Sequence, residues 1–203
     1  MYDNYFILTT KIGGKGMTYK KLSEIAEIFT GIRISRYKNI VEGTKTKILL
    51  NKLQNNQIEY EEIQINKPQQ KYYSQKDDII IHLSDTTSIT LLKEENILIP
   101  LNYAIIRLKP EYNAEYVYQI LKSTNFQNLI KRISEGSSIK FVKINDLKDI
   151  KIQILEQDKQ EKYAKIMELL NKRTTLNRRK TEIEEEYLQG IIQKELGGQY
   201  VKL

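Results

Sequence analysis

The sequence predicts an α+β protein: a small, mixed, β-rich domain followed by one long helix of coiled-coil character. Three observations carry this. Between residues 47 and 108, short runs rich in Ile, Leu and Tyr alternate with polar stretches, as short strands do. Between 113 and 133 the apolar period becomes helical. From 158 to 196 there is no proline and one glycine, Gly190, and Glu, Lys, Leu, Gln and Arg dominate. The expected division is an N-terminal extension at 1–18, a globular domain at 19–155 and the long helix at 156–203.

The elements run in this order. Residues 5–9 read as a short strand. Lys11-Ile12-Gly13-Gly14-Lys15-Gly16 reads as a flexible loop, or as a translated ribosome-binding tract ahead of a natural start at Met17. Leu22, Ile25, Ala26, Ile28 and Phe29 recur at helical spacing around Ser23, a good N-cap, and Gly31 stops that helix. Strands are expected at 47–53, 58–65, 79–83, 88–92 and 103–108, with a hairpin turn at Asn55-Asn56. Asn113 caps a helix carrying Tyr116, Val117, Ile120 and Leu121, continuing or restarting through Phe126, Leu129, Ile130 and Ile133 to Gly136. A loop at 137–143 runs into a short strand, a single turn starts at Asn145-Asp146, and Ile150, Ile152 and Ile154 alternate as a strand. In the last segment Ile166, Leu169, Arg173, Leu176, Lys180, Ile183 and Tyr187 fall at spacings of three and four, the seam of a coiled coil. A helix of about 38 residues is roughly 57 Å long, too long to fold back on a small domain, so it requires a partner helix.

Composition narrows the function. There is no cysteine, which excludes disulfides and thiolate metal sites, and a single histidine, His82, excludes multi-histidine centres. No apolar run approaches the roughly 20 residues of a membrane span, and the start lacks a secretory pattern, so a cytoplasmic protein without membrane contact is expected. The net charge is +7, the mark of a candidate polyanion binder. Catalytic signatures are missing. There is no glycine-rich S-adenosylmethionine loop, no Asn/Asp-Pro-Pro-aromatic motif and no phosphate loop, since Gly13-Gly14-Lys15-Gly16 has the wrong spacing. Asp146-Leu147-Lys148 and Asp149-Ile150-Lys151 are only fragments of a nuclease metal site. No enzyme, metal or cofactor is expected.

The order of parts then becomes recognisable. Glu27-Ile28-Phe29-Thr30-Gly31 is followed by Asp77-Asp78-Ile79-Ile80-Ile81, a helix at Tyr116-Val117-Tyr118-Gln119-Ile120-Leu121, and Gly136-Ser137-Ser138-Ile139-Lys140. Leu147-Lys148-Asp149-Ile150-Lys151-Ile152, a Gln-bearing stretch at 157–160 and the long helix complete the series. The chain resembles the specificity subunit of type I restriction-modification systems, in a half-length form with one target recognition domain and one spacer helix. It departs from the family at Ile152-Gln153-Ile154-Leu155, where a Pro-Leu-Pro usually stands.

The resemblance implies recognition of double-stranded DNA by a non-catalytic subunit of a bacterial defence system. A modification (methyltransferase) subunit and a restriction subunit would be its partners. It places DNA contacts in basic and aromatic loops. The candidates are Arg33, Arg36, Tyr37 and Lys38; Lys45 and Lys47; Lys71, Tyr72 and Tyr73; and Ser137, Ser138 and Lys140. Each also has a plain alternative as solvated basic loop, core tyrosine or helix-ending loop. His82 reads first as a structural residue of a strand, with a groove-lining role beside Ser84, Asp85 and Thr86 as its alternative. The basic Arg178, Arg179 and Lys180 precede the acidic Glu182, Glu184, Glu185 and Glu186 in the long helix. Antiparallel pairing of two copies sets one block near the other, so a homodimer reading a bipartite, palindromic site is expected. The rival reading is a protein-interaction module, a coiled-coil partner or regulator of such a complex without DNA specificity of its own.

Overall fold

The computed structural model describes residues 18–38, 42–50, 59–66, 68–135 and 141–196. Its centre is a four-stranded antiparallel sheet in the order β2 (Ala26–Thr30), β7 (Tyr103–Leu108), β5 (Ile79–His82), β6 (Ile89–Leu91). Two ribbons flank it: β1 (Thr18–Lys21) with β8 (Lys151–Ile154), and β3 (Thr44–Leu49) with β4 (Tyr60–Ile65). The helices are α1 (Leu22–Ile25), α2 (Ala114–Lys122), α3 (Thr124–Glu135), α4 (Ile144–Asp149) and α5 (Gln157–Leu196). The long last helix spans 40 residues, as its proline-free composition predicts.

Consecutive isoleucines mark the sheet because both of its faces are covered. Ile79, Ile81, Ala104 and Ile106 pack on one side with Ile28, Val117, Leu121, Ile130 and Val142. Ile80, Tyr103 and Ile105 pack on the other with Leu49, Leu92 and Ile97. Each such side chain contributes roughly 1.5–3 kcal/mol on burial. A smaller cluster of Ile32, Ile48, Ile65, Tyr73 and Leu98 ties the β3–β4 ribbon to this second side.

One charged pair enters the sheet. Arg107 donates to Asp78 from Nε at 2.9 Å and Nη2 at 2.7 Å, and also from Nη2 to the Tyr73 carbonyl at 3.1 Å. Its guanidinium lies over the Phe29 ring, 5.5 Å from the centroid. Asp78 also accepts from the Gln75 backbone at 2.8 Å.

The helix expected through Phe29 forms only its first turn. The apolar positions 22, 25, 26, 28 and 29 satisfy a helical period, but from Ala26 they also satisfy alternation. Pairing with β7, from Ala26 opposite Leu108 to Thr30 opposite Ala104, decides for the strand. Ser23 is not the cap: the turn starts at Lys21, whose backbone N–H bonds the Glu24 carboxylate. Gly31 also has a different reason from the one expected. A Cβ there would lie 2.2 Å from the carbonyl oxygens of Ile99 and Pro100, so glycine permits a close backbone crossing.

The other elements match more closely. Strand β7 occupies the range expected, and β3 and β4 pair antiparallel, although the Asn55-Asn56 turn lies outside the described residues. The Asn113 side chain accepts from the Tyr116 N–H at 3.0 Å and caps α2, while Ser123 caps a separate α3. The strand expected after the 137–140 loop is not formed at 141–143. One bond, from the Val142 N–H to the Leu83 carbonyl at 2.9 Å, ties that segment to the sheet. The strand expected at 5–9 and the glycine tract lie outside the described residues.

Two of the glycines, Gly31 and Gly190, predict effects of opposite sign. Gly31→Ala forces backbone apart at the Ile99–Pro100 crossing and should destabilise by about 1–3 kcal/mol or more. Gly190→Ala meets nothing within 4 Å and should stabilise α5 by roughly 0.8–1 kcal/mol. Thermal unfolding followed by circular dichroism checks both; equal signs would contradict this account.

Candidate nucleic-acid interface

The antiparallel register gathers three loops at one end of the central sheet. Thr30 faces Ala104 and His82 faces Tyr103, so β2 and β5 end where β7 begins. The segments 31–38, 83–88 and 100–102 therefore meet there. With the β3–β4 ribbon and Phe141 they enclose an open cleft of about 950 Å³. Ile48, Leu49 and Leu101 give it apolar walls; Arg33 and Lys38 supply cations; His82, Ser84 and Asn102 supply hydrogen-bonding edges.

The His82 ring is held on both nitrogens. The Asp85 backbone N–H donates to Nδ1 at 3.0 Å, so neutral His82 carries its proton on Nε2. Nε2 lies 2.8 Å from the Asn102 amide, which must then present its oxygen rather than its nitrogen. The ring stands edge-on to Tyr103 at 4.9 Å. Desolvation holds the His82 pKa below the ordinary imidazole value, with Asp85 pulling the other way. Burial pushes the Tyr103 phenol up to about 12, and its hydroxyl donates to the Leu50 carbonyl at 3.0 Å.

Of the candidates that the sequence suggests, Arg33 and Lys38 line this cleft. Arg36 is exposed in the 3-10 turn Ile34–Arg36, and Tyr37 is half-buried against the third core cluster. Lys45 and Lys47 are exposed, on the opposite face of the ribbon from Ile48. The Lys47 ammonium sits 5.6 Å from the Tyr60 ring centroid. Lys71 is exposed over the half-buried Tyr72, which packs edge-on to Phe29 at 6.4 Å. Tyr73 is 8% exposed, its ring packed with Ile32, Ile48 and Leu98. Ser137, Ser138 and Lys140 lie outside the described residues, although Phe141 just beyond them borders the cleft. Asn102 and Phe141 are cleft residues that the sequence reading misses. The Pro100-Leu101-Asn102 turn before β7 is the available signal for Asn102.

The seam residues Ile166, Leu169, Arg173, Leu176, Lys180, Ile183 and Tyr187 are all exposed along α5. The charged blocks beside them pair along the helix, Arg179 with Glu182 at 3.1 Å and Lys180 with Glu184 at 3.5 Å. No helix among the described residues is long and apolar enough to cross a membrane.

Residues 14–185 match the family described as type I restriction modification DNA specificity domain. The chain belongs to that family. The family is described by its DNA specificity.

Solved structures share the fold of this specificity domain. One comes from work on complex assembly and conformational transition of a type I R-M system: TM-score 0.67, 16% identity, covering 89% of this chain and 45% of that one. The HsdS subunit from Thermoanaerobacter tengcongensis gives 0.63 and 15%, covering 95% and 48%. The S subunit from M. genitalium gives 0.57 and 18%, covering 93% and 47%. The specificity domain thus spans about half the length of each. No curated protein matches the sequence.

His82 makes the fold acid-sensitive in a known direction. Its folded pKa lies below the unfolded value, so the unfolded chain takes up the proton first. Stability is complete above the unfolded pKa and falls as pH drops through it towards the folded pKa. Melting temperatures from about pH 7 to about pH 5 should therefore fall less for His82→Gln than for the parent. Parallel curves would assign the acid response elsewhere.

Proposed function

We propose that this chain reads one half-site of duplex DNA through the cleft at the β7 entrance, as the non-catalytic specificity component of a type I restriction-modification system. The observation that carries the reading is an open cleft where β7 begins and an exposed helix anchored just beyond where β7 ends. One end of the sheet holds an open cleft with cations and hydrogen-bonding edges. Beyond the other end, the β1–β8 ribbon leads into a helix whose apolar seam is exposed. Arg33 and Lys38 hold phosphates, while His82, Ser84 and Asn102 offer the short polar edges that base-pair recognition needs. Lys45, Lys47, Arg36 and Lys71 add phosphate contacts from the surrounding surface.

Two chains associate through antiparallel α5 helices, burying Ile166, Leu169, Leu176, Ile183 and Tyr187. Arg173 and Lys180 then reach acidic side chains of the second copy. A two-fold pair of identical domains reads inverted identical half-sites, so the target is bipartite and palindromic. Methylation and cleavage belong to separate modification and restriction subunits that dock on this frame.

Selection from a random duplex pool, with the chain alone and with co-expressed partner subunits, should enrich two inverted half-sites at one gap. Arg33→Ala with Lys38→Ala should weaken binding about tenfold or more and reduce the salt slope by roughly one per lost phosphate contact. Leu169→Glu with Leu176→Glu should yield a monomer that loses the bipartite motif. A folded protein that enriches nothing under either condition would transfer the helix to the rival role of a protein-interaction module.

A further inference from the structure

The base of α5 is fastened by a buried amide. Among the described residues the buried polar side chains are Ser74, Asp78, Thr90 and Gln160, and only Gln160 belongs to the long helix. It is 2% exposed. Its Nε2 donates to the Leu155 carbonyl at 2.8 Å, just after β8 ends at Ile154. Its Oε1 accepts the backbone N–H of Asn113, the residue that caps α2, at 3.1 Å. One side chain therefore bonds both the strand that leads into α5 and the helix against which α5 packs. Neither partner atom is a side-chain atom that a rotamer change would move.

Little else holds the helix. Ala164, one turn further on, is buried, and Met167 is partly covered. From 168 to 195 no side chain is buried. The helix is thus a lever with a base of about three turns and a free arm of roughly 43 Å. A swing of about 10° at the base displaces the tip by roughly 7 Å, or about two base-pair steps at 3.4 Å each.

We propose that Gln160 is a positioning residue that fixes the angle between the recognition domain and its helix, and thereby sets the gap accepted between half-sites. The part about the gap rests on the two-chain reading above; the part about the angle does not. Gln160 touches no DNA in this account. Its two bonds act on the orientation of α5, and the sequence of the half-site is left to the cleft at the opposite end of the sheet.

The chain lacks cysteine, so two can be introduced cleanly, at Asn128 on α3 and Gln193 on α5, both exposed. Spin-labelled protein diluted into excess unlabelled chain then reports the domain-to-helix distance within one molecule. The parent should give one narrow distance. Gln160→Met, which loses both bonds at nearly constant volume, should broaden the distribution or shift it by several ångströms. Gln160→Glu keeps an acceptor for Asn113 but no donor for Leu155, and should fall between the two; it also serves if the methionine variant does not fold. In duplex selection both variants should keep the parent half-site and accept several gaps instead of one. Unchanged distances in a folded variant overturn the proposal, and so does a changed distance with a single gap retained. If the parent selects no bipartite site while the distances respond, the two-chain reading fails and the joint at Gln160 stands.

Discussion

A central strand with both faces buried has no place for an unpaired charge, and β7 is built around that constraint. Tyr103, Ala104, Ile105 and Ile106 alternate into two separate cores, so every position from 103 to 106 is apolar or aromatic. The next position carries Arg107, which is answered at once by Asp78 from the segment leading into β5. Removing either partner of such a pair leaves a buried charge, at a cost of about 3–5 kcal/mol. The pair therefore pins the 70–78 segment, the Phe29 ring and the register of β7 against β5 at a single point. Everything on the cleft side inherits its position from that register.

The sheet turns this local constraint into a division of labour. Antiparallel pairing sends the loops after β2 and β5 and the turn before β7 to the same end. The connection from β7 to α2, with Asn113 and Gln160, lies at the other end. The cleft-end loops carry core side chains such as Ile32 and Leu83, but their exposed positions, Arg33, Ser35, Arg36, Lys38 and Ser84, can change without cost to either core. At the helix end a buried amide and a capped helix allow no such freedom. On the proposed reading, recognition and spacing are thus governed by different residues in one small domain.

Much of this is legible in the sequence, and the misreadings have physical causes. β7 is readable because its run is short, continuous and flanked by polar residues. α5 is readable because forty residues without proline have one good solution. The stretch 22–29 misleads because its apolar positions fit both periods, and only the distant β7 chooses between them. Gly31 misleads because its role depends on a backbone segment nearly seventy residues away. In the candidate site, Arg33 and Lys38 are legible as charge beside an aromatic. Tyr73 belongs to a core that composition cannot distinguish from surface. Asn102 carries no signal beyond its turn, since its place beside His82 comes from β5–β7 pairing. The sequence points to the amide at 160 only as part of a Gln-bearing stretch; the carbonyl and N–H that it joins come from 155 and 113.

The moderate charge bears on how such a module selects DNA. A net charge of +7 spread over the chain gives a weak, salt-sensitive hold on phosphate, and an apolar-walled cleft with two cations adds little more. On the proposed reading, a single domain of this kind would gain little from charge in physiological salt. Coupling two of them changes the arithmetic, because the second half-site is met at an effective concentration set by the linker. That gain is large only when the linker holds the second domain in register. A flexible joint would spread the same binding energy over many gaps and lose selectivity among them. On the proposed reading, stiffness at the base of α5 is therefore part of the specificity itself, and a buried glutamine with both ends bonded to backbone is a compact way to obtain it.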